Sequence, residues 1–320
     1  MSGDLERAVA AVVRDCLGVR EGEEVLVVAN PATIGLGERL RGEAGRLGAD
    51  GVLALITERA ESGTEPPRSV AAAMAAADVV ICPTVQSLSH TAARRSATEA
   101  GVRIATMPGV TEEMLARVMS ADMEGLRRRG AAIAEILTAG EEARITCERG
   151  SDLRLGLGAR QGIADAGDLT APGAFGNLPC GEGFIAPIEG SAEGTLIVDG
   201  TITSIGRISE PVTLSVEAGH LVAASGDQGG LLLELLRTHG GEQGTNVAEL
   251  GIGTNEKAEL TGDLLEDEKI LGSCHVAFGA SAAIGGTVQV PVHLDCVVLK
   301  PDVGVDGESL VRAGELLVGG

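Results

Sequence analysis

Residues 24–56 read EVLVVANPATIGLGERLRGEAGRLGADGVLALI, and this stretch decides the class of the amino-terminal half. Its two ends, Glu24 to Ala29 and Gly51 to Ile56, are short runs of mainly Val, Leu, Ile and Ala. The segment between them, residues 33–47, has the mixed apolar and charged pattern of an amphipathic helix. Strands that are apolar along their whole length are buried on both faces, as in a parallel sheet covered by crossover helices. The unit recurs downstream. Asp78 to Pro83 and Val102 to Met107 read as further strands, and residues 68–77, 90–100 and 111–138 as helices. Pro83, Pro108 and Gly109 punctuate the strand ends. The expectation is a parallel-sheet α/β domain over residues 1–139.

From residue 140 the texture changes to alternating patterns separated by glycine turns, as in Ala143 to Glu148, Asp152 to Leu157 and Gly194 to Val198. That predicts a mixed, strand-rich α+β domain over residues 140–320, interrupted by one helix at Gln228 to Thr238. Asp199-Gly200, between Ile197 and Ile202, carries the residue pair of a tight β-hairpin. All six Met precede residue 124 and all three Phe follow residue 174, which supports the same division.

Acidic residues outnumber Lys plus Arg by 46 to 25, a net charge of −21. Such a surface repels phosphate backbones and anionic membranes, so neither nucleic acid nor membrane is an expected partner. With no Trp, no Tyr and three Phe, aromatic stacking on a ligand is nearly excluded. The six Cys are scattered singly, without a C-x-x-C pair, as suits reduced thiols. The first fifteen residues hold Asp4, Glu6, Arg7, Arg14 and Asp15 in place of a signal sequence, and the cytoplasm is the expected compartment.

Four stretches of the second half carry candidate chemistry. In Pro291-Val292-His293-Leu294-Asp295 the two polar side chains are two apart, so on a strand they project from one face. Val288, Val290, Val292 and Leu294 would face a core behind them. Cys274 to Gly279 places His275 in an apolar run. In Asn246 to Gly253, Glu249 alternates with apolar residues beside Gly251 and Gly253, which let a ligand or another backbone approach closely. Cys180-Gly181-Glu182-Gly183-Phe184 sets a glutamate between two glycines. Each has an ordinary reading as well: a solvated face, a satisfied histidine, a surface glutamate, an exposed turn. Together they supply two glutamates, two histidines and an aspartate, the donor types of a hard to borderline divalent ion. Four or more such donors leave room for two ions and hydrolytic chemistry.

Other motifs carry less. Gly35-Leu36-Gly37 lacks the third glycine of a dinucleotide fingerprint, and Ser281 lacks the context of a nucleophile elbow. His90, His220 and His239 read as structural. Glu268-Lys269 reads as a helix-surface ion pair, with a supporting role behind metal ligands as the other possibility.

The four stretches, in this order, resemble the aminopeptidase T family of metallo-aminopeptidases over most of residues 175–300. The resemblance rests on Gly181-Glu182 with Pro187, Glu249 to Asn255 with Gly253, His275 to Gly279, and His293 to Asp295. It implies Glu182, Glu249, His275, His293 and Asp295 as metal ligands, two zinc, cobalt or manganese ions, a homodimer, and hydrolysis of a small peptide or amide. Glu249 would bridge the ions and Glu182 would help orient the attacking water. One departure is that the family's catalytic tyrosine, seven residues after His275, is replaced by Ala282. A related branch resembles the pyridinediol ring-opening dioxygenases, in which His275, His293 and Asp295 would hold one Fe(II). A binding protein that keeps the scaffold without catalysis is the third reading.

Overall fold

The computed structural model describes residues 2–320, in two compact units. One comprises residues up to Ala121 together with Gly167–Cys180, the other Asp122–Ala166 with Gly181–Gly320. The first is built on a five-stranded parallel sheet in the order Asp50–Leu55, Glu24–Ala29, Val79–Cys82, Arg103–Thr106, Phe175–Asn177. Val79–Cys82 is wholly buried and Glu24–Ala29 is buried after its first residue. Their unbroken apolar runs therefore match interior strands. Helices Ile34–Arg46, Arg68–Ala76 and Ala92–Glu99 form the crossovers.

Three features of this half depart from the sequence reading. A helix, Ser2–Ala10, continues in π-helical form through Ala11–Cys16 and buries Leu5, Ala8, Val9, Val12, Val13 and Cys16, a spacing of three to four residues. The segment 111–138 is two helices rather than one. Thr111 caps Glu112–Val118 by accepting from Met114 N–H, and Asp122 caps Met123–Ala139 by accepting from Glu124 N–H. The boundary is also not a single cut at 139/140. Met123–Ala139 buries Leu126, Ile133 and Leu137 and packs on strands of the second unit, while the short strand Phe175–Asn177 returns to the parallel sheet of the first.

The second unit holds two antiparallel sheets. The eight-stranded one contains Glu142–Thr146, Asp152–Gly156, Glu193–Val198 and Val212–Glu217. The seven-stranded one runs Gly206–Arg207, Thr201–Ile202, His293–Val298, Cys274–Gly279, Val247–Gly253, Glu182–Ile185, Ile163–Asp165. One apolar cluster joins inward residues of both, among them Leu153, Leu196, Leu214, Leu250, Ile252, Val276, Phe278 and Cys296. The architecture is thus a parallel α/β sheet plus a strand-rich unit, as the alternations imply. The Asp199-Gly200 pair does not form the expected hairpin. Glu193–Val198 and Thr201–Ile202 belong to different sheets, and Gly200 N–H instead donates to Val297 O (3.0 Å), tying the crossing to the strand that carries Asp295. Among the described residues no helix is long and apolar enough to cross a membrane.

Candidate metal centre

Strand alternation places all five singled-out residues on one face of the seven-stranded sheet. Leu250 and Ile252 turn into the core, so Glu249, Gly251 and Gly253 turn away from it. Cross-strand partners share a face. Gly251 stands opposite His275, Ala277 opposite both Glu249 and Asp295, Gly279 opposite His293, and Gly253 opposite Glu182. Charged and imidazole groups therefore rise around a floor of glycine and alanine. Two of those glycines are demanded by sterics. A Cβ on Gly251 would overlap Cε1 and Nε2 of His275, and Gly279 has φ +116° with the Val292 carbonyl where a side chain would go.

The donor atoms form two adjoining groups, Glu249 with His293 and Asp295, and Glu182 with Glu268 and His275. Glu249 links them, with Oε2 3.3 Å from His293 Nε2 and Oε1 3.4 Å from His275 Nε2. His293 Nε2 also lies 3.4 Å from Asp295 Oδ1, and His275 Nε2 3.3 Å from Glu182 Oε2. Supporting contacts orient these groups. The His293 ring donates from Nδ1 to the Ala280 carbonyl at 2.7 Å, which leaves Nε2 as the ligating nitrogen of the neutral ring. The Thr203 hydroxyl donates to Asp295 Oδ2 (3.2 Å) and accepts from Asp295 N–H (2.9 Å). Glu182, Glu249, Glu268, His275 and Asp295 are buried and His293 is half-buried, so the ordinary surface readings of these residues do not hold.

The electrostatics are those of a cation-seeking cluster. Burial opposes a charge on His275, yet the carboxylates of Glu249, Glu182 and Asp295 outweigh it and lift the imidazole to about 9. His293 is raised well above its usual value against the same burial by Asp295 and Glu249. Asp295, which burial alone would raise, is held well below the carboxylate range by His293, His275 and Thr203. Burial pushes Glu268 up to about 8 and Asp165 to about 7, with Lys269 pulling each the other way. Glu182 Oε2 and His275 Nδ1 are buried without a hydrogen-bond partner. Orphaned donor atoms, imidazole nitrogens aimed at carboxylate oxygens, and an N/O donor set fit a divalent metal ion.

The sequence reading gives Lys269 the surface role over the supporting one, and finds neither Thr203 nor the Ala280 carbonyl. Lys269 is no surface partner of Glu268: it is 0% exposed, with Nζ 2.6 Å from Glu268 Oε1, 2.8 Å from Glu182 Oε1 and 3.9 Å from Asp165 Oδ2. Its signal was compositional, since it is one of three Lys in a chain that uses 22 Arg. Thr203 and the Ala280 carbonyl had no signal, because their roles depend on pairings between strands distant in sequence. Ser281 is buried 3.3 Å from Glu189 Oε1, and His220 Nδ1 lies 3.1 Å from Thr245 Oγ1.

The profile of the NicX family, 2,5-dihydroxypyridine 5,6-dioxygenase, matches residues 49–318. The 2,5-dihydroxypyridine 5,6-dioxygenase of Pseudomonas putida (strain KT2440) is 27% identical over 266 residues, 77% of this chain and 72% of that protein. In fold, the chain superposes on a structure of 2,5-dihydroxypyridine dioxygenase from Pseudomonas putida KT2440 with a TM-score of 0.86, at 22% identity over 99% of this chain and 98% of the other. Wild-type AmpT from Thermus thermophilus gives 0.74 at 20% identity, over 99% and 100%.

These matches correct the sequence reading of function. The aminopeptidase T likeness is one of fold, and the hydrolase and protease assignment gives way to a ring-cleaving dioxygenase family, together with its peptide or amide substrate. Two observations agree with the correction: Glu182, assigned to orient a hydrolytic water, has one oxygen engaged by Lys269, and Ala282 stands at the position where the aminopeptidase T resemblance implied a tyrosine.

Proposed function

Because this chain belongs to the NicX family of 2,5-dihydroxypyridine 5,6-dioxygenases, we propose that it opens the ring of a dihydroxylated pyridine with dioxygen and Fe(II). The residues that would hold the ion are His275, His293 and Asp295, the two imidazoles and one carboxylate of non-haem Fe(II) oxygenases. Iron held this way supplies the redox chemistry with dioxygen, and both oxygen atoms enter the product as the ring bond opens.

The chain's own groups prepare that chemistry. Ala280 O fixes the His293 tautomer, and the Thr203 hydroxyl fixes the Asp295 carboxylate. Glu249, with one oxygen toward each imidazole, is the carboxylate that reaches both rings, and we assign it to hold the ring orientations and balance the charge of the ion. Glu182 is turned to Lys269, which answers why two further carboxylates surround a site for one metal. Of the three Phe, Phe278 is in the core and Phe175 in the parallel sheet, while Phe184 is the cross-strand partner of Gly251 on the site face. Phe184 is thus the aromatic surface available to a pyridine ring.

The observation that carries this reading is the convergence of His275, His293 and Asp295 on one sheet face around Glu249, within a family of dioxygenases. The test is oxygen uptake by Fe(II)-reconstituted protein given 2,5-dihydroxypyridine. One O2 should be consumed per substrate, and His293→Ala or Asp295→Ala should abolish both uptake and iron retention. Iron-loaded protein that leaves dihydroxypyridine and O2 untouched would overturn the proposal.

A further inference from the structure

Lys269 has no place among the three ligands proposed above, yet it is among the largest fully buried side chains of the described residues. An ammonium removed from water costs several kcal/mol unless it is closely paired. Here the pairing is directed: Nζ donates to Glu182 Oε1 at 2.8 Å and to Glu268 Oε1 at 2.6 Å, with Asp165 Oδ2 at 3.9 Å. Those two glutamates are not a random pair of acids. With His275 they make up the second group of converging donor atoms. That group also has an unpaired donor aimed into it, since Glu182 Oε2 is buried without a hydrogen-bond partner and lies 3.3 Å from His275 Nε2.

Five carboxylates gather here, those of Asp165, Glu182, Glu249, Glu268 and Asp295, and one divalent ion at the first group leaves the second group still anionic. It would draw another ion, and His275 would be a donor contested between the two. We infer that the Lys269 ammonium occupies the place of a second divalent ion, closing the Glu182–Glu268–His275 group to metal and leaving His275 to the first. Lys suits this task better than Arg, because its charge is compact and its ammonium donates to two separate carboxylates with a third 3.9 Å away. Unlike an exchangeable ion it is tethered to the chain and cannot be removed by chelation.

This inference rests on the single-ion reading of the preceding section, and metal content separates the two. Wild-type protein and Lys269→Met are equilibrated with Zn(II) or with Mn(II), freed of loose metal, and analysed for ions per chain. The wild type should hold one and the variant two. Because Lys269→Met leaves buried carboxylates facing one another, the double variant Lys269→Met/Asp165→Asn is measured beside it. It removes one of those charges and keeps Glu182, Glu268 and His275 intact. A folded variant that holds one ion, as the wild type does, overturns the inference and leaves the single-ion reading standing. A wild type that takes up a second ion from a hundredfold excess of Zn(II) overturns the inference without recourse to any variant. A wild type that holds none overturns the reading on which it rests.

Discussion

Gly251→Ala asks whether the His275 ring lies where the sheet geometry puts it. The added Cβ would overlap Cε1 and Nε2 of His275 and stand 3.0 Å from Cδ2. Ordinary carbon contacts are about 3.5 to 4.0 Å, so the imidazole must lift by about 1.4 Å or more. The backbone offers little relief, because Cys274–Gly279 is paired along both edges. Forcing a methyl into such a site costs about 1–3 kcal/mol. Gly251 is not among the left-handed glycines, so Ala also removes unfolded-state entropy and returns up to about 1 kcal/mol. The net loss of stability should be about 1–2 kcal/mol. Function should suffer more. A 1 Å misplacement of a positioned group costs about a hundredfold in rate, equivalent to about 2.7 kcal/mol. The assay pairs calorimetric melting with iron content and dihydroxypyridine-dependent O2 uptake. Gly230→Ala serves as the control, since nothing lies within 4 Å of a Cβ there. A Gly251→Ala protein with full iron content and full turnover would refute the placement of His275.

Thr203→Val removes the hydroxyl that donates to Asp295 and should weaken iron binding by about 10- to 100-fold with little change in fold, read by titration with a chromophoric chelator. Phe184→Leu should raise KM for a dihydroxypyridine several-fold with kcat nearly kept; an unchanged KM would remove Phe184 from the substrate surface. In metal-free protein, His275 is lifted from 6.5 to about 9, so its charged form stabilises the fold. That contribution is complete below the unfolded-state value and is lost as pH rises through the folded one. The melting temperature of the apoprotein should therefore fall between pH 6.5 and 9, and His275→Gln should flatten the slope.

The parallel sheet was legible because interior strands such as Val79–Cys82 leave no polar position to misread. The site was legible for a different reason: Glu249, His275, His293 and Asp295 interrupt strands whose alternate residues, Leu250, Val276, Leu294 and Cys296, all enter one core. Alternation fixes the face of each residue without fixing its neighbours. The registers that bring His275 over Gly251, and Lys269 between Glu182 and Glu268, are set by pairings across long sequence separations. This is why Lys269 read as a surface residue and Asp199-Gly200 as a hairpin. The donor types did not decide between hydrolysis and oxygenation, because imidazole and carboxylate ligands serve either chemistry and the chain shares its fold with both the dihydroxypyridine dioxygenase and AmpT; the one sequence departure that bore on the choice was Ala282.

Diffraction from crystals of the Fe(II)-loaded protein, grown without oxygen and recorded on both sides of the iron absorption edge, would locate the ion and the Lys269 ammonium together. A single anomalous peak is expected within bonding distance of His275, His293 and Asp295, with the Lys269 ammonium still seated between Glu182 and Glu268. Two peaks, or one peak away from those three side chains, would contradict the single-ion site.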